Sequence, residues 1–320
     1  MIDVFYTVDT EVWCDGWHDL DERFPAAFDR HIHGRTAGGD FGLPLQARLL
    51  HEHGLTGVFF VEPLFATRFG AAPLAQIVGL LNAARQDVQL HLHTEWLDEA
   101  PQRLLADSLR KRQFLRGFSA EEQRVVIGDG LRLLRAAGAP QVTAFRAGNF
   151  GFNRDTLGVL ADLGLRFDSS YNACSLGPES GLRPGECLVE PLWQDGICEY
   201  PVTVFFDGLG RLRPLQLTAC SWSEMEHLLW ASLEAGRRSV MIVSHSFELL
   251  GRDRTRPDPV AVRRFEALCR FLDRHRDQFR ARGFGDLQPA AEVSQPLPLR
   301  MPIWPTARRL AEQGLRRLVA

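Results

Sequence analysis

The chain has 320 residues, a formal net charge of −3, and 45% hydrophobic and 24% charged residues. This composition is typical of a folded globular protein and excludes a largely disordered or fibrous chain. The near-neutral charge provides no basic field, so nucleic acid is not expected among its partners. No run reaches the roughly 18 apolar residues of a membrane-spanning helix, and no secretory signal is visible at the N-terminus. Since the six cysteines form no close pair, we expect a cytoplasmic protein.

Short apolar runs rich in Val, Ile and Phe alternate with longer segments of helical periodicity. Strands are predicted at 2–8, 57–61, 87–92, 141–146, 165–168, 197–203 and 239–244. Helices are predicted at 44–53, 73–85, 119–137, 154–163, 222–235 and 259–281. Repeated strand–helix units indicate an α/β fold with a mostly parallel sheet. About seven such units, with no glycine-rich dinucleotide motif after the first strand, favour a β/α barrel over an open sheet.

The barrel is predicted to occupy residues 1–287. Residues 13–41 show no clear period, so we expect a long loop insertion after the first strand. Residues 288–320 contain several prolines and are predicted to form a tail, in which 306–319 have a basic amphipathic pattern. That pattern is typical of a docked terminal helix, and contact with a membrane surface is the alternative.

Polar side chains lie where the predicted strands end. In a parallel barrel the carboxyl ends of the strands meet at one face, and active sites are built there. Any one of these residues could be a helix cap or a structural histidine, but their common location at one end predicts a site. The residues are Asp9, Glu11, His91, His93, Arg146, Asp168 and His245.

The local spacing of these residues indicates a chemistry. Because strand residues two apart point the same way, His91 and His93 can project together, as can Asp9 and Glu11. Two imidazoles and a carboxylate form a typical site for zinc or a similar divalent metal. A second carboxylate could act as base, an arginine could orient it, and a separate histidine could protonate the leaving group. The set suits metal-assisted hydrolysis of an amide or ester.

Five motifs occur in a familiar order. They are Thr7–Glu11 (TVDTE), Leu90–Thr94 (LHLHT), Phe145–Gly151 (FRAGNFG), Phe167–Ser170 (FDSS) and Val243–His245 (VSH). This series resembles the polysaccharide deacetylase (NodB-homology) family over roughly residues 2 to 250. The resemblance implies a distorted β/α barrel with about seven strands and a divalent metal, often zinc. It also implies a carbohydrate substrate from which an N-acetyl or related acyl group is removed.

The resemblance also assigns roles to single residues. Asp9 matches the catalytic base of the family, and Arg146 matches the arginine that tethers this base. His93, followed by a threonine, matches the first histidine of the metal motif. His245 matches the acid that protonates the departing amine, and Asp168 matches the carboxylate that tunes this acid. A backbone N–H near residues 149–150 could contribute to an oxyanion hole.

The sequence departs from the family pattern at the metal ligands. Thr10 occupies the place of the second of two adjacent aspartates, and the next carboxylate is Glu11. Leu97 occupies the place of the second metal histidine, for which His91 could substitute from the same strand. Gly148 stands where the arginine motif usually has proline. The predicted metal ligands are therefore Glu11, His91 and His93, with Asp9, Arg146, Asp168 and His245 as catalytic residues.

Two other functions are compatible with these departures. One is a metal-independent amidase that cleaves a non-sugar C–N bond, and the other is a catalytically inactive barrel that binds a sugar. The presence of base, arginine and acid together favours the metal-dependent deacetylase. The sequence predicts no particular sugar, acyl group or oligomeric state.

Overall fold

The computed structural model describes residues 1–106, 111–289 and 294–319. Its strands form one large sheet and two small ones. In chain order they are β1 (Ile2–Thr10), β2 (Arg35–Thr36), β3 (Gly39–Asp40), β4 (Val58–Val61), β5 (Asp87–Leu92), β6 (Ala144–Ala147), β7 (Phe167–Asp168), β8 (Leu192–Gln194), β9 (Ile197–Glu199), β10 (Val204–Phe206), β11 (Leu212–Pro214), β12 (Ser239–His245), β13 (Phe279–Ala281) and β14 (Leu299–Arg300).

Most of the α-helices follow strands of the large sheet, as β/α units require. They are α1 (Leu20–Phe28), α2 (Leu43–Glu52), α3 (Ala66–Phe69), α4 (Ala71–Ala83), α5 (Ala120–Ala136), α6 (Arg154–Asp162), α7 (Trp222–Glu234), α8 (Pro259–Arg274) and α9 (Ile303–Val319). The sequence-level capping box at the start of α5 is present, because the Ser119 side chain accepts the Glu122 N–H and Glu122 accepts the Ser119 N–H. None of the helices in these described segments is long and apolar enough to cross a membrane.

The large sheet has the strand order β12-β1-β4-β5-β6-β7-β9-β8. Neighbours from β12 to β9 are parallel, and β8 joins the end antiparallel. The Thr203 N–H donates to the Met241 carbonyl at 3.3 Å, which brings the chain after β9 against β12. The sheet therefore curls into an incomplete barrel. The predicted distorted β/α barrel with about seven parallel strands is confirmed.

The interior of the barrel is filled by aromatic and aliphatic side chains. Phe284, from the chain after β13, stacks on Phe5 at 4.9 Å between ring centroids and contacts Phe167 and Tyr200. Together they form an apolar cluster that is separate from the larger core between sheet and helices. Since Phe5 lies on β1 four residues before Asp9, the same face of the strand carries the core first and the polar site next.

The last predicted helix ends earlier than expected. α8 ends at Arg274, and the segment predicted to continue it forms β13, which pairs with Ile2–Val4 of β1. No glycine or proline marks the end of α8 in the sequence, and Phe279 continues the apolar period. Pairing with β1 therefore overrides the local helical pattern.

The predicted insertion at 13–41 contains more regular structure than its sequence indicated. It includes α1, a π-helical turn over Asp29–His33 and the hairpin of β2 and β3. Pro25 lies inside α1 and obscures the helical pattern, because proline removes a backbone donor from the helix interior. α1 is held by apolar packing, in which the Phe24 ring stacks on Phe69 at 3.7 Å.

The C-terminal helix is docked on the protein. Arg309 of α9 donates to Glu224 of α7 at 3.0 Å and to Asp207 at 3.3 Å, and Thr306 is fully buried. β14 pairs with β10, so the chain before α9 is also anchored. Residues 290–293 of the predicted tail lie outside the described residues. The division into a barrel at 1–287 and a tail at 288–320 stays a prediction.

Candidate active site

Four parallel strands place their carboxyl ends around one cluster of polar side chains. Asp9 of β1 is in register with His245 of β12, and His91 of β5 is in register with Arg146 of β6. Register in parallel strands puts the two members of each pair at one height, so residues predicted from separate motifs lie side by side. Glu11 and His93 follow directly after their strands.

The predicted metal ligands converge. One donor atom from each of Glu11, His91 and His93 lies within 4.8 Å of the others. Glu11 Oε2 lies 2.6 Å from His93 Nε2 and 3.6 Å from His91 Nε2, and none of the three residues is more than 7% exposed. Burial opposes ionisation of Glu11, but the two histidines outweigh it and hold the pKa of Glu11 well below its ordinary value.

The histidine rings are oriented as metal ligands are. His91 Nδ1 lies 2.8 Å from the Arg146 carbonyl oxygen. A carbonyl only accepts hydrogen bonds, so Nδ1 carries the proton and the Nε2 lone pair faces Glu11. Within the described part of the chain, the buried His93 Nδ1 and the buried Glu95 Oε2, which lie 3.5 Å apart, have no hydrogen-bond partner. A cation on Nε2 would fix the proton on Nδ1 toward Glu95, the usual outer contact of a metal-bound histidine. The residues therefore fit a divalent cation such as zinc.

Asp9 is held as an ionised carboxylate. Arg146 Nη1 donates to Asp9 Oδ1 at 2.7 Å and to Thr7 Oγ1 at 2.9 Å, and both members of the ion pair are buried. Ser169 fixes the rest of the guanidinium through its carbonyl and hydroxyl oxygens, at 3.0 and 2.9 Å. Burial disfavours the charged carboxylate, but Arg146 and the nearby histidines outweigh it and lower the pKa of Asp9.

His245 has a carboxylate partner that the sequence motifs did not indicate. Its Nδ1 lies 2.8 Å from Glu248 Oε1, while its Nε2 faces Glu11 at 4.0 Å. Glu248 is itself held by hydrogen bonds from Gln216 and Ser244. Burial favours the neutral ring, yet the Glu248 carboxylate outweighs it and raises the pKa of His245 to about 9. In the sequence, this contact corresponds to the spacing His245-x-x-Glu248.

In the structure the carboxylate beside His245 is Glu248, and not Asp168, with which His245 was predicted to pair. Phe167 points into the barrel, so Asp168, the next residue of β7, points to the opposite face. There it accepts a hydrogen bond from Ser170 at 2.6 Å and lies in register with Glu199 of β9. The structure thus separates Asp168 from the other predicted catalytic residues. Its role in tuning the acid stays a prediction without a contact to His245.

Asp168 and Glu199 form a buried carboxyl pair. Asp168 Oδ2 and Glu199 Oε2 receive no other donor from the described protein, and a proton shared between them would satisfy both. Burial raises the pKa of both groups, and the Asp168 charge raises that of Glu199 further. Because folding raises the carboxyl pKa, the protonated pair stabilises the folded protein at a pH below the ordinary carboxyl pKa of about 4. This stabilisation is lost as the pH rises through the pKa of the folded protein.

Glu199→Gln is therefore expected to become more stable relative to the wild type as pH rises above the ordinary carboxyl pKa and through the raised pKa of the folded protein. The amide can donate to Asp168 and accept the Tyr171 N–H, as a protonated Glu199 does, but has no proton to lose. Urea denaturation from pH 5 to 9 measures the difference. The exposed Glu234→Gln serves as control and should show no such trend. A stability difference that is flat with pH would contradict the shared proton.

The departures from the family pattern have structural counterparts. A Cβ on Gly148 would come within 2.6 Å of the Leu92 carbonyl oxygen and 2.8 Å of His93 Nδ1, so only glycine fits this approach to the candidate ligand. Leu97 is buried in the apolar core, and Thr10 is buried with its hydroxyl 3.4 Å from the Val8 carbonyl. Neither belongs to the carboxylate–histidine cluster.

The tryptophans that follow the first two motifs, Trp13 and Trp96, have different surroundings. Trp96 is 1% exposed and packs against Phe65 and Phe69, so it is a core residue. Trp13 is half-buried and packs edge-on against the His93 ring, with centroids 4.7 Å apart. Trp17 contacts both Trp13 and Trp96. Trp13 is thus the tryptophan beside the candidate metal ligands.

No protein-family model and no curated protein matches this sequence. Solved structures do match. A Mycobacterium smegmatis protein assigned as a polysaccharide deacetylase aligns over 92% of this chain and 95% of its own, with 18% identity and a TM-score of 0.56. The chain has the polysaccharide deacetylase (NodB-homology) fold. A family 4 carbohydrate esterase from Streptomyces lividans aligns over 92% and 97%, with 10% identity and a TM-score of 0.44.

The deacetylase fold does not determine the reaction. A 4-α-glucanotransferase from Thermococcus litoralis aligns over 92% of this chain and 42% of its own, with 11% identity and a TM-score of 0.52. At these identities the matches establish architecture alone. The function has to be argued from the side chains of the site.

Proposed function

We propose that this protein is a metal-dependent hydrolase that removes an N-acetyl or related acyl group from a sugar or polysaccharide precursor. The observation that carries the proposal is the buried Glu11–His91–His93 group beside a carboxylate held by Arg146 and a histidine held by Glu248. Cation site, base and acid are the three parts of a metal-assisted hydrolysis of an amide. The deacetylase fold, in which these residues occupy strand ends, supports the assignment.

Each residue has a defined part in the proposed reaction. Glu11, His91 and His93 would hold the cation, which supplies Lewis-acid polarisation of the acyl carbonyl and a more acidic water. Asp9 accepts a proton from the attacking water, and Arg146 keeps this carboxylate ionised and oriented. The water oxygen bonds to the carbonyl carbon and the C–N bond breaks. His245 gives its proton to the departing nitrogen, and Glu248 holds the ring in position for this step.

The metal is tested first. Purified protein is expected to contain close to one equivalent of a divalent metal, measured by elemental mass spectrometry. A His91→Ala/His93→Ala double variant is expected to lose it, since two of the three candidate donors are removed. The matched control is His51→Ala/His53→Ala, a pair with the same spacing at the end of α2 and outside the site. No metal after incubation with zinc, cobalt and nickel, or equal loss in both double variants, would contradict the proposal.

The same preparations separate the alternative functions. Acetate release from N-acetylated sugars that stops on metal removal and returns on metal addition supports the deacetylase. Undiminished turnover of the metal-stripped protein, on an amide that is not a sugar, indicates a metal-independent amidase. Sugar binding that survives Asp9→Ala and His245→Ala, without turnover of any amide by the wild type, indicates an inactive sugar-binding barrel.

A further inference from the structure

Arg254 places a positive charge beside the candidate active site. Its guanidinium carbon lies 4.2 Å from the centre of the Phe247 ring. Phe247 in turn stacks on His245, with ring centroids 5.4 Å apart and an interplanar angle of 24°. Through these two contacts, the guanidinium and His245, the proposed acid, lie no further apart than the length of a disaccharide.

Arg254 forms no ion pair among the residues that the structure describes, and the Asp15 and Glu11 carboxylates act on its charge only from a longer distance. Its contacts there are the Phe247 ring and His31 Nε2, both of which lack a negative charge. His31 is fully buried, and its Nδ1 lies 2.8 Å from the Trp13 backbone N–H. Arg254 therefore rests on uncharged partners that connect it to Trp13, the tryptophan packed on His93.

A second guanidinium increases the positive charge. Arg30 lies in the π-helical turn next to His31, the residue that Arg254 contacts, and its charge, after burial, lowers the pKa of Arg254. Arg30 pairs with Asp15 at 2.6 Å, and Asp15 is mostly exposed. The two guanidiniums thus share the exposed Asp15 carboxylate, while Glu11, which also acts on Arg254, faces His91 and His93. The excess charge can be neutralised by an anion from outside the protein.

The loop holds Arg254 in a fixed position. Its backbone has a φ of 55°, in the left-handed region that residues with a side chain seldom adopt. The Arg254 N–H donates to the Gly251 carbonyl at 2.9 Å, and the Gly251 N–H donates to the Arg256 carbonyl at 2.8 Å. In the same loop Asp253 accepts hydrogen bonds from Thr255.

We propose that Arg254, with Arg30 beside it, binds an anionic group of the acylated sugar substrate. The group is a carboxylate or a phosphate, because the planar guanidinium matches the geometry of both. The inference rests on the proposed function, since it specifies the substrate of the same site. It selects an acidic or phosphorylated sugar over a neutral one.

The test compares three acetylated sugars by isothermal titration calorimetry at low salt. N-acetylglucosamine is neutral, N-acetylmuramic acid carries a carboxylate, and N-acetylglucosamine 6-phosphate carries a phosphate. At least one anionic sugar is expected to bind roughly ten- to a hundredfold more tightly than the neutral one, as expected for a hydrogen bond to a charged group. The anionic sugar that binds more tightly shows whether the recognised group is a carboxylate or a phosphate.

Variants of the loop decide whether Arg254 is responsible. Arg254→Gln is expected to remove the preference for the anion, and Arg254→Lys to retain part of it, because lysine keeps the charge without the fork. The control is Arg252→Gln, an exposed arginine of the same loop, which should bind like the wild type. Equal binding of neutral and anionic sugars, or an unchanged preference in Arg254→Gln, overturns the inference.

Metal content and acetate release distinguish this failure from failure of the proposed function. A protein that binds metal and releases acetate equally well from neutral and anionic sugars contradicts only the role of Arg254. A protein without metal or acetate release contradicts the proposed function. In that protein, anion-selective binding that Arg254→Gln abolishes still supports the arginine subsite.

Discussion

Replacing Asp9 with asparagine is expected to lower kcat/KM for acyl-sugar hydrolysis by roughly a hundred- to ten-thousandfold, the usual contribution of a general base. Asparagine has the same shape and can still accept the Arg146 hydrogen bond at its side-chain oxygen. It has no ionised oxygen to take a proton from water. The loss should therefore fall mainly on kcat, because the candidate metal ligands Glu11, His91 and His93 are unchanged.

Two measurements show whether the loss of activity is due to the missing base. Metal content of Asp9→Asn should equal that of the wild type, which shows that the cation site persists. Asp19→Asn is the matched control, because Asp19 is an exposed aspartate in the segment that follows the same strand, and its side chain makes no cap hydrogen bond. It should keep kcat close to that of the wild type. Near-normal turnover in Asp9→Asn would remove Asp9 from the role of base.

Replacing Arg146 with methionine is expected to lower the free energy of unfolding by about 3–5 kcal/mol, the range for breaking a buried ion pair. The change leaves the Asp9 carboxylate buried without its counter-ion. It also removes the hydrogen bonds that the guanidinium donates to the Thr7 and Ser169 hydroxyl oxygens. Urea denaturation at neutral pH measures the loss, and acyl-sugar hydrolysis should be lost with it.

The reason for the loss can be checked with two further variants. Arg154→Met breaks an exposed ion pair with Asp195 and should cost less than about 1 kcal/mol. In the double variant Asp9→Asn/Arg146→Met the uncompensated charge is gone, so it should be less destabilised than the sum of its parts. Strict additivity would show that Asp9 and Arg146 do not act as a pair.

The sequence predicted the strands of the barrel better than the contacts between side chains. β5 was predicted with its observed bounds, because its apolar run stands between clear helical segments. α1 was missed because Pro25 breaks its pattern, and the end of α8 was missed because β13 forms only by pairing with β1. These elements depend on distant residues, which local periodicity does not contain.

In the candidate site, too, the positions of residues were easier to predict than the contacts between their side chains. The placement of Asp9, His91, Arg146 and His245 could be predicted, because strand order and period two bring strand ends together. The partner of His245 could not, since Glu248 lies in the turn after β12 and is brought to the ring by the loop conformation. The order of the motifs predicted which residues belong to the candidate site. The conformation of the turn after β12 brings Glu248 into contact with His245.

The pairing of β1 has a consequence for the order in which the chain folds during synthesis. β1 emerges from the ribosome before the strands that pair with it. Asp3–Asp9 can pair with β12 on one edge, and Ile2–Val4 with β13 on the other, only after those later strands have been made. At roughly 5–20 residues per second, translation reaches these strands many seconds later. Until then Thr7–Thr10 are the only residues of β1 that have a partner strand, which is β4. A nascent chain that stops before β12 would expose the apolar edges of β1 to aggregation.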